Sequence, residues 1–152
     1  MGFGGMEKAI YLVREADAGG RLSWPGPDKL RPLSAEGWRQ AQELAARLNG
    51  ASVARVISSP WLRCRQTVMP VADVRDLPVQ SEPALGEIAS VDRAFDLLLR
   101  NLDAPTVICS HAGLLLALIE RLRWSSRVVP LCGLAWTATL PAVAGATAGG
   151  SR

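Results

Sequence analysis

This chain predicts an α/β fold with a largely parallel sheet, and three observations carry that reading. Short runs rich in Val and Ile, at 9–14 (AIYLVR), 54–58 (ARVIS) and 106–110 (TVICS), have the composition of strands buried on both faces. Between them lie segments whose apolar residues recur at helical spacing, and strands that alternate with helices pair in parallel through crossover connections. The length, 152 residues, suits one domain with a core in two or three layers.

The elements follow in order. The strand at 9–14 ends on Arg14 and Glu15 and opens into a loop, 16–33, whose Gly and Pro content suits a segment that folds over a site. Ser34 is an N-cap, after which Trp38, Ala41, Leu44, Ala45 and Leu48 form one helical face until Asn49-Gly50 stops the helix. The strand at 54–58 leads to Ser59-Pro60, which is expected to open the second helix with the proline in its first turn. Pro70 is expected to kink or end that helix. Val91, Ala94, Phe95, Leu98 and Leu102 line a third helix, and His111 opens a fourth that runs to about Arg123. Two last apolar runs, 127–131 and 134–140, flank Cys132-Gly133 and read as a closing hairpin or edge strands.

Composition narrows the function classes. With 49% hydrophobic and 20% charged residues, the chain falls outside the apolar-poor regime of disordered proteins. Its formal charge of +3 is mild, and the arginines form no dense basic block interleaved with aromatics, so a nucleic-acid partner is not expected. Cys64, Cys109 and Cys132 lack the short paired spacings of zinc or redox motifs and read as reduced, buried thiols. MGFGGMEKAI is not a secretory signal, and no apolar run approaches the ~20 residues that span a bilayer, so a cytoplasmic protein without a membrane partner is expected. Residues 1–8 read as an N-terminal extension or tag remnant, 9–140 as the domain and 141–152 as a flexible tail.

In open α/β sheets ligands bind at the carboxyl ends of the strands. Just beyond those ends stand Arg14-Glu15, Ser58-Ser59-Pro60 leading to Arg63, and Ser110-His111. Two arginines, an acid and the chain's one histidine thus converge, close to helix N-termini that favour anions. The planar fork of arginine matches phosphate oxygens, so a phosphorylated ligand is the natural guess. A lone histidine is more often structural than catalytic, but the position of His111 between a strand end and a helix start favours function. Arg65 is expected at the surface and Trp38 in the packing. Arg21, Trp24, Asp28, Lys29 and Arg31 of the loop are candidate substrate contacts, with a solvated loop as the competing reading.

The segments LVREADAG, RPLSAEGWRQAQELAARL, VISSPWLRCRQT and VICSHAG, in this order, resemble the histidine phosphatase superfamily, also called phosphoglycerate-mutase-like, and within it the small SixA-type phosphohistidine phosphatases. The resemblance covers about 10–140 and implies a three-layer α/β/α sandwich. It also implies phosphatase activity that needs no cofactor or metal, acting on a phosphorylated small molecule or a phosphohistidine protein. By this resemblance Arg14 and Arg63 match the family's two phosphate-binding arginines and His111 its second histidine. Glu87 falls in the region where many members place an acid near the pocket, a possible proton donor.

The departure is Glu15, at the position where the family has its phosphoryl-accepting histidine. An ordinary glutamate is ionised at neutral pH, repels a phosphate dianion and pairs with arginines instead. Loss or strong reduction of phosphohistidine chemistry is the expectation. Two alternatives stand beside it: an enzyme of altered chemistry with Glu15 as base or carboxylate nucleophile, and a non-catalytic, regulatory anion-binding module. Carboxylate acceptors usually recruit a metal ion, and no partner cluster of acids is visible along the sequence.

Overall fold

The computed structural model describes residues 8–140, so the expectations for 1–7 and 141–152 lie outside it. Strands β1 (Lys8–Arg14), β2 (Arg55–Ser58), β3 (Val79–Ser81), β4 (Thr106–Ser110), β5 (Arg127–Cys132) and β6 (Ala135–Leu140) alternate with helices α1 (Ala35–Arg47), α2 (Leu62–Asp73), α3 (Val91–Arg100) and α4 (Ala112–Leu122). Short 3-10 turns at Arg21–Ser23, Asp28–Leu30 and Pro83–Leu85 punctuate the loops. The strands form one sheet in the order β3-β2-β4-β1-β6-β5. β3, β2, β4 and β1 run parallel, whereas β6 is antiparallel to β1 and pairs with β5 as the closing hairpin.

Alternation along the strands builds the two cores. Val13, Val56, Val107 and Cys109 pack with Leu44 and Leu48 of the first helix region and Cys64, Val68 and Val71 of α2. Ile10, Leu12, Ile57 and Ile108 face the other way, onto Ala94, Leu97 and Leu98 of α3 and Leu115, Leu118 and Leu122 of α4. Because successive strand residues point to opposite faces, these short apolar runs carry helices on both sides, which makes the molecule a three-layer α/β/α sandwich. The apolar HAGLLLALIERLRW segment is accounted for by α4, whose Leu114, Leu115, Leu118 and Leu122 are buried in this core while Leu116 is exposed. Among the described residues no helix is long and apolar enough to cross a membrane.

Local chemistry sets the element ends. The Ser34 hydroxyl accepts from the Gly37 N–H at 3.0 Å and caps α1, which stops before Gly50 at φ +108°. The second helix departs from expectation at both ends. It opens at Leu62 rather than at Pro60, because the Ser59 hydroxyl is drawn to His111 and accepts from the Trp61 N–H, holding 59–61 as a turn. It also runs on past Pro70 to Asp73. The bond that proline deletes falls in the last turn, where buried Val68, Val71 and Ala72 hold the helix on the sheet. Strand β3, only three residues long, has no apolar pattern to reveal it. Cys64 and Cys109 are buried free thiols, while Cys132, expected to be buried, is half-exposed where the β5–β6 hairpin turns.

Candidate active site

Three parallel strands deliver the site. β1 and β2 flank β4, with Arg14 in register with Ser110 and Ser58 with Cys109. The residues that follow these strand ends therefore meet at one edge of the sheet, where the rule for parallel sheets places a ligand. Arg14, Glu15, Arg31 and Arg63 line a pocket of about 230 Å³ there, together with Ala16, Asp17, Ala18 and Gln40. A larger open groove of about 630 Å³, between 82–84 and α3, shares no residue with it and has none of the strand-end groups.

Beneath the pocket floor lies His111, only 4% exposed. Its Nε2 is 2.9 Å from the Ser59 hydroxyl, and its Nδ1 is 3.9 Å from Glu15 Oε1. The Cys64 sulfur sits 3.8 Å from Nε2 and 4.0 Å from Nδ1. Trp61 meets the imidazole edge-on with ring centroids 5.2 Å apart. Glu15 itself is the odd member, because its Oε2 is buried without a hydrogen-bond partner. A buried carboxylate oxygen left unpaired is costly, and Glu15 shares the pocket with three arginines that an anionic ligand would also seek. A hydrogen bond from Cys109 pulls the Cys64 thiol below its ordinary value, against the opposing effect of burial and with help from His111. Burial pushes Cys109 the other way.

The arginines differ in how they are held. Arg14 is exposed, whereas Arg63 is 2% exposed, and Arg65 beside it is exposed as expected. Arg63 donates to the Asp28 carbonyl at 3.0 Å, and its Nη2 lies 3.2 Å from Asp28 Oδ2 and 3.6 Å from Glu87 Oε2. Arg21 closes the ring, 2.6 Å from Glu87 and 3.4 Å from Asp28. Two acids and two arginines thus form a clasp that fastens the loop 16–33 over the pocket. Burial would raise the Asp28 carboxyl, but the hydrogen bond from Arg31 and the charges of Arg63, Arg21 and Arg31 outweigh it and hold it below the ordinary 3.8.

The other loop residues have distinct placements. Arg31 is 8% exposed and donates to the Ala18 and Gly19 carbonyls as well as to Asp28, so it staples the loop to itself while lining the pocket. Lys29 lies 5.3 Å from the Trp61 ring centroid, and Trp24 donates its indole N–H to the Pro27 carbonyl in an adjacent hollow. Sequence reasoning assigned no site role to Ser59, Cys64, Gln66 or Thr67. The Thr67 hydroxyl accepts from the Ala16 N–H at 2.9 Å, and Gln66 Oε1 accepts from the Leu33 N–H, so both ends of the loop are tied to α2. Their spacing of three and four from Arg63 places them on its helix face, a signal the sequence does contain.

An α/β/α sandwich on a mostly parallel sheet with arginines and a histidine at its strand ends is the class of architecture that the known relatives share. The chain belongs to the Histidine phosphatase superfamily (branch 1), which matches residues 10–94. It is similar to phosphohistidine phosphatase SixA of Escherichia coli, 30% identical over 120 residues that cover 74% of this chain and 73% of that one. It is also similar to the 8-oxo-(d)GTP phosphatase of Mycolicibacterium smegmatis, 33% identical over 118 residues, 74% of this chain but only 37% of that protein's length. The solved structure of the protein histidine phosphatase SixA complexed with tungstate superposes with a TM-score of 0.65 at 27% identity, covering 75% of this chain and 76% of the other.

Proposed function

We propose that this protein binds a phosphorylated ligand through Arg14, Arg63 and His111, and that phosphohistidine catalysis is absent or strongly reduced because Glu15 occupies the nucleophile position. The observation that carries the reading is the shared pocket of about 230 Å³, in which three arginines, Arg14, Arg31 and Arg63, outnumber two acids, Glu15 and an Asp17 whose carboxylate is taken up by Ser34 and the Gly19 N–H. In an intact site of this family, a neutral imidazole at position 15 would attack phosphorus, and the arginines and His111 would stabilise the equatorial oxygens. A carboxylate there keeps the anion-binding walls and removes the good phosphoryl donor. Glu87, 3.6 Å from Arg63, is the candidate proton donor to a leaving group in this reading.

The test is hydrolysis of an aryl phosphate by the protein and by Glu15→His, side by side, with a chelator present. Turnover by the variant alone supports an otherwise complete phosphatase site silenced at one side chain. Turnover by the unaltered chain that Glu15→Gln abolishes would overturn the reading in favour of a carboxylate nucleophile or base.

A further inference from the structure

We propose that Glu15, Cys64 and His111 form a three-ligand binding site for Zn²⁺. One ligand atom from each, a carboxylate oxygen, a thiol sulfur and an imidazole nitrogen, lies within 4.8 Å of the others. The three residues come from the end of β1, the first turn of α2 and the N-cap of α4, so 49 and 47 residues separate them along the chain and no sequence motif announces them. The donor set is mixed. A thiolate and an imidazole favour Zn²⁺ over Mg²⁺ or Ca²⁺, which take oxygen ligands.

The geometry is close to what zinc needs. With Zn–S near 2.3 Å and Zn–N and Zn–O near 2.0–2.1 Å, tetrahedral angles put ligand atoms roughly 3.3–3.6 Å apart. The His111 Nδ1 lies 3.9 Å from Glu15 Oε1 and 4.0 Å from Cys64 Sγ, and all three ligand atoms lie within 4.8 Å of one another, so closing the site takes side-chain rotations that draw them together by roughly 0.5–1.5 Å. Two independent features point the same way. Glu15 Oε2 is buried with no hydrogen-bond partner, so this oxygen has no hydrogen bond to give up on binding an ion. The Ser59 hydroxyl, 2.9 Å from Nε2, accepts its N–H in the tautomer that frees Nδ1 to ligate, 3.9 Å from Glu15 Oε1, and is the outer partner that metal-bound histidines require; the Cys64 sulfur, beside the ring, swings toward Nδ1 by rotation about its χ1. Three protein ligands leave a fourth position for water or an anion oxygen, and the carboxylate and thiolate neutralise an ion held at Glu15, the one ligand of the three that also lines the arginine pocket.

The experiment is titration of chelator-stripped protein with Zn²⁺ by calorimetry, and with Co²⁺ by absorption, in the absence of phosphate. The expected result is one ion per chain, with a thiolate-to-cobalt charge-transfer band in the near ultraviolet that Cys64→Ser removes and Cys132→Ser retains. Glu15→Gln, isosteric and therefore safe for folding, is expected to weaken zinc at least ~100-fold, and Ser59→Ala roughly 10–100-fold through loss of the outer partner. Absence of stoichiometric binding overturns the proposal, as does a cobalt band that survives Cys64→Ser or zinc affinity unchanged in Glu15→Gln. The readout is metal binding alone, so its failure leaves the phosphate-pocket reading standing and the converse also holds.

Discussion

Glu15→Gln isolates the charge at the centre of the pocket without changing its shape. A sphere of about 230 Å³ has a radius of about 3.8 Å, so an anion centred in the pocket lies ~4 Å from a carboxylate on its wall. At that separation two unit charges repel by roughly 4 kcal/mol at an effective dielectric of about 20. Glu15 keeps 22% of its side chain exposed, and screening by water and salt leaves a third to two-thirds of that value, about 1.4–2.8 kcal/mol. Tungstate or phosphate binding to chelator-stripped protein is therefore expected to tighten about 10–100-fold in Glu15→Gln, and the gain is expected to shrink as ionic strength rises. Calorimetry with both anions measures it. Unchanged or weaker binding in the variant would refute the reasoning, because it would mean that the arginines do not hold the anion beside position 15.

Further consequences follow from the clasp and the loop. Arg63→Lys replaces a fork that reaches both the carbonyl and the carboxylate of Asp28 with a point charge, and is expected to weaken the same anions at least tenfold, in line with ~1.5–3 kcal/mol for a charged hydrogen bond. Asp28 is held below its ordinary 3.8, facing Arg21, Arg31 and Arg63 with Glu87 as the opposing acid, so the stability it lends the loop is full above that value and lost as pH falls through its lower folded value. Hydrogen exchange of 16–33, corrected for intrinsic rates, should stay flat from neutrality to the ordinary carboxylate range and rise only below it; a loss of protection between pH 7 and 5 would count against the clasp. Gly37→Ala should destabilise in urea by ~1–3 kcal/mol despite the better helix propensity of alanine, because the new Cβ collides with the Asp17 carbonyl oxygen. A rise in stability would show that the loop can yield.

The sheet was legible because its strands are buried on both faces and their apolar runs stand out whatever the tertiary context. Residues 106–110 match β4 end for end, and 9–14 misses only Lys8 of β1. The convergence of Arg14, Arg63 and His111 was legible too, since parallel strands bring their carboxyl ends to one edge. What could not be seen is how the loop 16–33 returns. Asp28 meets Arg63 across 35 positions and Arg21 meets Glu87 across 66, contacts that depend on backbone paths with no period to read. Arg31, a candidate for substrate contact, folds back on the Ala18 and Gly19 carbonyls because a buried guanidinium must satisfy its donors. Cys64 read as a reduced, buried thiol, which it is, but its neighbours at 109 and 111 belong to a different strand end and gave no sequence signal.

The place of β1 in the sheet also sets the timing of folding. It is the first of the six described strands to be synthesised, yet its two neighbours are β4 and β6, with Ile10 paired to Thr106 and Lys8 to Leu140. At a synthesis rate of ~5–20 residues per second, β1 leaves the ribosome on the order of 10 s before either neighbour exists. During that interval an apolar strand offers two open edges, and the pocket has only one of its walls. The N-terminal half of the chain therefore depends on the C-terminal hairpin for its own protection, and shortening the chain ahead of β6 would expose the strand that carries Arg14 and Glu15.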